Sequence, residues 1–417
     1  MERSELLARL GFAPPEACRV RVIIDTDAKN EGDDDFAILH HLLTPQFDVR
    51  GICATHFEVK TTQRGLPPHS MERSYQEVCR LLNAAHIDDV PVLHGCTAPL
   101  ASPEDAPDCE AVEFLIQEAL RDDPAPLYIA AQGAMTNIAA ALNRAPEIAS
   151  RMTVLWNGGG PYPAGRPEFN VQQDPIACRV LLDSTVTVWQ IPQDVYARFE
   201  VSLAELALRV RPCGEVGAYL FQQLMDEYPS EYDPRFPLRT GGNWTLGDNT
   251  TAAVLLENGL RGHWTLRPAP VLLPSLTYAE ASDRKTIRVY HDLDVRFALE
   301  DFLCQAGAVL PQIRIIQNNS PLRPISLRGC CSVIQLLQQR CNDLEQHSGG
   351  TEQILLLPDA GRGIFHRAAL LQRVLEILLD VPDTGSIHHP DGIFKVMVQA
   401  AVVQIDGAHH CFPAVHH

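Results

Sequence analysis

An acidic cluster follows the first β-like stretch of the sequence. Six carboxylates lie within eleven residues, after the apolar run VRVII and before a helical pattern: Asp25, Asp27, Glu31, Asp33, Asp34 and Asp35. Carboxylates this close repel one another, and a hard cation bound through oxygen relieves that repulsion. The helix dipole explains acids at the start of a helix, but not the two at the end of the strand. The cluster therefore predicts a metal or catalytic site, and leaves a metal-dependent hydrolase and a phosphatase with an aspartate nucleophile both open.

Three later segments also combine a turn with the start of a helix. They are AAQGAMTNIAAAL (residues 130–142), NGGGPYPAGRPEFNVQQDPIA (157–177) and LGDNTTAAVLL (246–256). The first is a strand, a glycine turn and a helix, and the last places Asp248 directly before a helix. Each segment alone is only a weak indication of a site.

The elements that must position these residues alternate between strand and helix. We predict strands over residues 20–24, 49–54, 90–93, 127–131, 152–156, 186–191 and 286–290, and helices over 34–43, 71–84, 111–121, 137–144, 174–182 and 295–304. This alternation favours an α/β fold, with an open, mostly parallel sheet and helices on both faces. Because ligands bind at the carboxyl ends of parallel strands, the acids after the first strand stand where a site is expected.

The character of the sequence changes after about residue 310. We predict an α/β domain over residues 1–310 and an appended segment over 311–417, a helical or poorly ordered extension of unknown role. Alternation with strands weakens in the second part, and no internal repeat appears.

Composition excludes several classes of function. The formal net charge is −18, which disfavours nucleic acid and other polyanionic partners. We expect no membrane span, because no run of about 18 uncharged apolar residues occurs, and the N-terminus lacks the apolar core of a secretory signal. The twelve cysteines contain no C-x-x-C spacing, which disfavours a structural zinc site. We expect reduced thiols and a cytoplasmic location.

Taken in order, the motifs resemble the inosine–uridine preferring nucleoside hydrolase family. The matching pattern is D-x-D…D-D, then T-N-I-A, then G-G-G…E-F-N…D-P, then an aspartate before an apolar helix, over about residues 19–305. The resemblance implies a nucleoside-hydrolase-like fold and a glycosidase that cleaves the N-glycosidic bond of ribonucleosides to ribose and free base. It also implies one Ca²⁺ ion, a small-molecule nucleoside substrate and a homo-oligomer.

The resemblance also implies roles for single residues. The Ca²⁺ ligands would be Asp27, Asp34, the backbone carbonyl of Gln132, and Asp248. Asp27 would also act as the catalytic base that takes the proton from a calcium-bound water. Asp33, Glu168 and Asn170 would hold the ribose hydroxyls.

This sequence departs from the family pattern in three places. The loop AKNEG is longer than usual, so Asn30 is expected to enter the sugar site. Gly247 stands where many members have a histidine that protonates the leaving base, so another acid or a better leaving group is needed, and Trp244 is expected to stack on the base. His56 stands where the family tends to have asparagine, and we take it as a substrate-binding candidate.

Two alternatives remain open from the sequence. The missing histidine would also fit a non-catalytic ribosyl-binding protein. A metal-dependent phosphohydrolase is less expected, because it needs a lysine for phosphate and the acidic chain has only four: Lys29, Lys60, Lys285 and Lys395.

Overall fold

The computed structural model of the chain describes residues 1–231, 242–257 and 263–311. Its centre is an eight-stranded sheet in the order β3-β2-β1-β4-β5-β6-β12-β9. The strands are β1 (Val20–Thr26), β2 (Phe47–Ala54), β3 (Val92–Leu93), β4 (Leu127–Ala131), β5 (Met152–Asn157), β6 (Thr187–Ile191), β7 (Glu200–Ser202), β8 (Asn243–Thr245), β9 (Trp264–Pro268), β10 (Val271–Leu272), β11 (Tyr278–Ala279) and β12 (Thr286–Tyr290). All neighbours in the large sheet pair in parallel except β12 and β9, which are antiparallel, so the predicted mostly parallel sheet is confirmed.

Helices cover both faces of this sheet. They are α1 (Arg3–Leu7), α2 (Asp33–Leu43), α3 (Glu58–Arg64), α4 (Ser70–Ala85), α5 (Glu110–Leu120), α6 (Thr136–Arg144), α7 (Phe169–Gln173), α8 (Pro175–Asp183), α9 (Gln193–Tyr196), α10 (Leu203–Arg209), α11 (Gly214–Glu231), α12 (Thr250–Leu256) and α13 (Val295–Val309). Short 3₁₀ helices span Ala8–Leu10, Glu16–Cys18, Pro146–Ser150 and Gly247–Asn249. The pairs β7–β8 and β10–β11 form two further small antiparallel sheets.

The core lies in two layers, one on each side of the sheet. Successive side chains of β1 enter different layers: Val22 and Ile24 pack with residues of α2, α4 and α13, whereas Ile23 packs with residues of α5, α6 and α8. This is the period of two expected of a strand with both faces buried. Such burial explains why the strands are nearly continuous apolar runs.

The order in which strands are added to the sheet reverses between β1 and β4. From β1 it builds β2 and β3 on one side, and then returns to build β4, β5 and β6 on the other. In open α/β sheets, a crevice for ligands opens at such a switch point, beyond the carboxyl ends of the strands. The switch point is therefore beside the acids that follow β1.

Two further predictions concern membrane spans and the appended C-terminal segment. Within the described ranges, no helix combines the length and apolar character needed to cross a membrane. Apart from residue 311, the predicted appended segment lies outside the described residues, so its boundary and character stay predictions.

Candidate active site

The main chain after β4 packs directly against the end of β1. The backbone N–H of Gln132 donates to the carbonyl of Asp25 at 2.8 Å. A Cβ atom on the next residue, Gly133, would lie 3.0 Å from Cγ of Asp27 and 2.6 Å from a methyl group of Thr55. Glycine is required here because no side chain fits between the two strand ends. The turn brings the predicted ligands Asp27 and Gln132 to the same edge of the sheet.

Three predicted carboxylates come together at this edge. Asp33 and Asp34 begin α2, and Asp248 lies in the 3₁₀ turn before α12. One oxygen from each of the three lies within 4.8 Å of the other two. Two nearby side chains orient them: the Thr26 hydroxyl donates to Asp34, and Nδ2 of Asn157 donates to Oδ1 of Asp248 at 2.7 Å.

Burial and mutual repulsion destabilise the charged form of these carboxylates. Burial, and next the charges of Asp248 and Asp27, raises the pKa of Asp34 well above its usual value. The pKa of Asp248 is raised by burial and then by Asp33 and Asp27. Asp27 is therefore near enough to both for its charge to act on them.

The donor set fits a hard divalent cation. Oδ2 of Asp27 and Oδ2 of Asp34 are buried and have no hydrogen-bond partner among the described residues. The carbonyl oxygen of Gln132 accepts one hydrogen bond, from Nδ2 of Asn170 at 3.0 Å, and keeps a second lone pair. Such oxygen ligands are the kind that Ca²⁺ and Mg²⁺ prefer. A bound cation would offset both the repulsion and the missing hydrogen bonds.

Glu168 is fully occupied by protein donors. It precedes α7, and its carboxylate accepts the backbone N–H groups of Gly159 (2.9 Å), Val171 (3.1 Å) and Asn170 (3.2 Å). The hydroxyl of Tyr196 donates to it at 2.7 Å. A carboxylate offers about four acceptor positions. A ribose hydroxyl would therefore reach Glu168 only by replacing one of these donors.

The other predicted substrate residues have different surroundings. The backbone and side-chain oxygens of Asn30 both accept from Nζ of Lys60. His56 is fully buried, and its Nε2 donates to the Thr136 hydroxyl at 2.8 Å, at the start of α6. Burial lowers the pKa of His56 to about 4, so the ring is neutral at pH 7. Trp244 is half-buried in β8 and packs against the hydrophobic core.

Two residues at the site have no role in the sequence-based interpretation. Tyr196 is positioned by α9, and a Cβ atom on Gly247 would lie 3.0 Å from its Cδ2. Its ring thus stands beside the position where many family members have a histidine. Nζ of Lys60 lies 5.2 Å from the centre of the Phe169 ring, and its charge opposes the rise in the pKa of Asp27 that burial causes. The sequence held one indication of each as a site residue. Tyr196 follows the end of a predicted strand, and Lys60 is one of few lysines in this chain.

Comparison with known proteins decides the family. The model of the "inosine-uridine preferring nucleoside hydrolase" family matches residues 22–306. The chain belongs to this family. Its members are N-ribosyl hydrolases of the glycosidase class and depend on a metal, so the chain is an enzyme of that class. Membership removes the phosphohydrolase alternative.

Individual relatives are distant from this nucleoside hydrolase. The pyrimidine-specific ribonucleoside hydrolase RihA of Salmonella arizonae is 27% identical over 231 residues, which are 49% of this chain and 70% of the relative. The purine-preferring ribonucleoside hydrolase of Gardnerella vaginalis matches with a TM-score of 0.56 and 22% identity, over 69% of this chain and 98% of its own. A plant nucleoside hydrolase matches with a TM-score of 0.55 and 19% identity, over 71% and 100% of the two chains. At these identities the structural matches support the fold alone.

Proposed function

We propose that this nucleoside hydrolase cleaves ribonucleosides with a Ca²⁺ ion held at the carboxyl edge of the sheet. The proposed ligands are Asp27, Asp34, Asp248 and the backbone carbonyl of Gln132. The observation that carries the proposal is the convergence of the ligands Asp34 and Asp248 with Asp33, whose oxygens lie within 4.8 Å of one another. Oδ2 of Asp34 and Oδ2 of Asp27 are also buried, without a hydrogen-bond partner among the described residues. The all-oxygen donor set favours Ca²⁺ over softer metals.

Asp27 is the proposed catalytic base. When bound, the cation supplies positive charge that acidifies water and polarises the ribose hydroxyls. Asp27 then removes a proton from water with the carboxylate oxygen that does not hold the cation, and the nearby ammonium of Lys60 favours the ionised form of Asp27 beforehand. As the N-glycosidic bond breaks, its electron pair leaves with the base, which takes up a proton; the sugar develops positive charge, and the deprotonated water adds to the anomeric carbon, as in other glycosyl hydrolysis. The surrounding carboxylates stabilise that charge.

The ribose and the base are bound by different parts of the site. Asp33, Asn30, Glu168 and Asn170 are the proposed sugar contacts, and Trp244 and His56 are the proposed base-side contacts. Glu168 takes part only if the hydroxyl of Tyr196 gives up its hydrogen bond, because the three other donors are backbone amides. The curated and structural relatives carry both pyrimidine and purine names, so the proposal extends to ribonucleosides as a class.

A reducing-sugar assay across a panel of ribonucleosides tests this proposal. We expect ribose release with Ca²⁺, loss of release with a chelator, and recovery when Ca²⁺ is returned. For variants of the proposed ligands, such as Asp27→Asn, Asp88→Asn is the matched control, because Asp88 is an exposed aspartate that pairs with the N-terminus. Nucleoside binding without turnover would contradict the proposed hydrolysis. Equal turnover with and without the chelator would contradict the metal assignment.

We further propose three properties that concern partners and location. They are a homo-oligomeric state, a cytoplasmic location, and no nucleic-acid or membrane partner. Size-exclusion chromatography with light scattering tests the first of these directly.

A further inference from the structure

Two cysteines that are thirteen residues apart in the sequence are neighbours in the structure. Sγ of Cys96, in the loop after β3, lies 3.6 Å from Sγ of Cys109, directly before α5. The chain segments that carry them are joined two residues away from each cysteine, where the N–H of Ala111 donates to the carbonyl of His94 at 3.0 Å. The neighbouring carboxylate of Glu110 accepts the N–H of His94 at 3.0 Å. The two thiols are therefore held side by side by the backbone.

Contacts of the main chain fix the position of Cys96. The N–H of Cys96 donates to Oδ1 of Asn137 at 2.7 Å, and Nδ2 of Asn137 donates to Asp25 at 2.8 Å. A Cβ atom on the preceding residue, Gly95, would lie only 2.0 Å from the carbonyl oxygen of Ala54. Cys96 is thus anchored against the ends of β1 and β2, and Cys109 is the partner that adjusts.

The two thiols differ in reactivity. Cys109 is half-buried at the N-terminus of an 11-residue helix, whereas Cys96 is 4% exposed. The hydrogen bond from Cys96 lowers the pKa of Cys109 to about 7; burial opposes this shift, and the N–H groups of Val112 and Ala111 add to it. The pKa of Cys96 is raised by the same hydrogen bond and by burial. Because the thiolate is the nucleophile, Cys109 is the first to react and Cys96 follows.

We propose that Cys96 and Cys109 form a reversible disulfide, driven by a peroxide oxidant. The Cys109 thiolate attacks one oxygen of hydrogen peroxide, the O–O bond breaks, and the products are a sulfenic acid and hydroxide. The Cys96 sulfur then attacks the Cys109 sulfur, the S–O bond breaks, and water leaves with the proton of Cys96. In sum, two thiols and one peroxide give one disulfide and two waters, and a dithiol reverses the oxidation.

The geometry requires only a small movement. An S–S bond of about 2.05 Å requires the sulfur atoms to approach by roughly 1.5 Å from their present 3.6 Å. The proposal goes beyond the hydrolase function and does not rest on it.

Peptide mapping of the full chain tests the disulfide. The tryptic peptide between Arg80 and Arg121 contains Cys96 and Cys109 and no other cysteine. After reduction, brief treatment with hydrogen peroxide and alkylation with iodoacetamide, we expect this peptide to be unalkylated and lighter by two hydrogens than the free dithiol. Dithiothreitol before alkylation should restore two alkylated cysteines. The exposed Cys18 should remain alkylated throughout.

Variants separate the two roles. Cys96→Ser should leave a sulfenic acid on Cys109 that dimedone traps, whereas Cys109→Ser should leave Cys96 as an unmodified thiol. Cys18→Ser is the control and should not change the oxidation of the pair. Alkylation of both cysteines in peroxide-treated wild-type protein would overturn the proposal, and so would a Cys109 that stops at the sulfenic or sulfinic acid. Because these readings come from wild-type protein, they stand even if a variant folds poorly.

Discussion

Gly247 is a position where a one-carbon substitution tests the packing of Tyr196 at the site. In Gly247→Ala, the new Cβ would lie 3.0 Å from Cδ2 of Tyr196 and 3.4 Å from Oδ2 of Asp33. Carbon atoms in contact prefer a separation of about 3.5–4.0 Å. The Tyr196 ring must therefore move, although its hydroxyl is bound to Glu168 at 2.7 Å.

The expected cost follows from those two contacts. Overpacking of this kind typically costs about 1–3 kcal/mol. The ring cannot move freely, because a hydrogen bond to a charged group contributes about 1.5–3 kcal/mol. We therefore expect Gly247→Ala to lower the free energy of unfolding by roughly 1–3 kcal/mol. In a Tyr196→Ala background the clash is absent, and the same substitution should cost much less.

Urea unfolding of the four proteins in this cycle measures the coupling between the two positions. Gly242→Ala is the matched control, since its Cβ would meet no atom of the described residues within 4 Å. An equal cost of Gly247→Ala in both backgrounds would refute the reasoning, as would a cost no larger than that of Gly242→Ala. The same geometry predicts that Gly247→His alone does not improve cleavage of purine nucleosides, because the ring of Tyr196 obstructs the imidazole.

The other expected outcomes concern the metal, the base, the sugar and pH. Asp27→Asn should lower kcat/KM by about 10²–10⁴-fold without lowering the urea midpoint, because it removes a buried charge; near-normal turnover would contradict its role. Ca²⁺ at one hundred times its Kd should raise the free energy of unfolding by about 2.7 kcal/mol, and thermal melts should show no such gain for Asp248→Asn. The loss of the 2′-hydroxyl should slow cleavage more than a change of base, and a nitrophenyl riboside should react faster than inosine; equal rates for 2′-deoxynucleosides would contradict this. Burial lowers the pKa of His41 to about 3, so only the unfolded chain binds its proton between about pH 6.5 and 3. Stability should therefore fall as the pH drops below about 6.5, and His41→Gln should remove roughly 2 kcal/mol of that loss at pH 5 in urea titrations.

The parts of the site that sequence predicts are those with a local cause. Asp27 follows β1, and Asp34 begins the next helix, so their proximity depends only on one turn and one strand end. Gln132 was also predictable, because β4 pairs with β1 and parallel strands end at the same edge. The antiparallel edge strand β9 was not predicted, since its short, exposed sequence has no clear alternation.

Contacts between distant segments were not predictable from the pattern. Lys60 meets Asn30 across thirty residues, and Tyr196 meets Glu168 across twenty-eight. Neither pair has a spacing that any single element imposes. Cys96 and Cys109 are also brought together only by the packing of α5 beside the end of β3. Long-range side-chain pairing depends on the register of the whole sheet. The periodicity of the sequence does not predict which distant side chains will pair.

The departure at Gly247 and the position of the Tyr196 ring are a single structural feature. Glu168 matches the family motif, yet its acceptor positions are filled by three backbone amides and one hydroxyl. The amides are fixed by α7 and by the turn after β5, so only the Tyr196 hydroxyl can leave when a ribose hydroxyl arrives. The ring that carries this hydroxyl also occupies the space beside Gly247. Any movement of Tyr196 on substrate binding therefore changes both the proposed sugar contact at Glu168 and the room at position 247, where many members have a histidine.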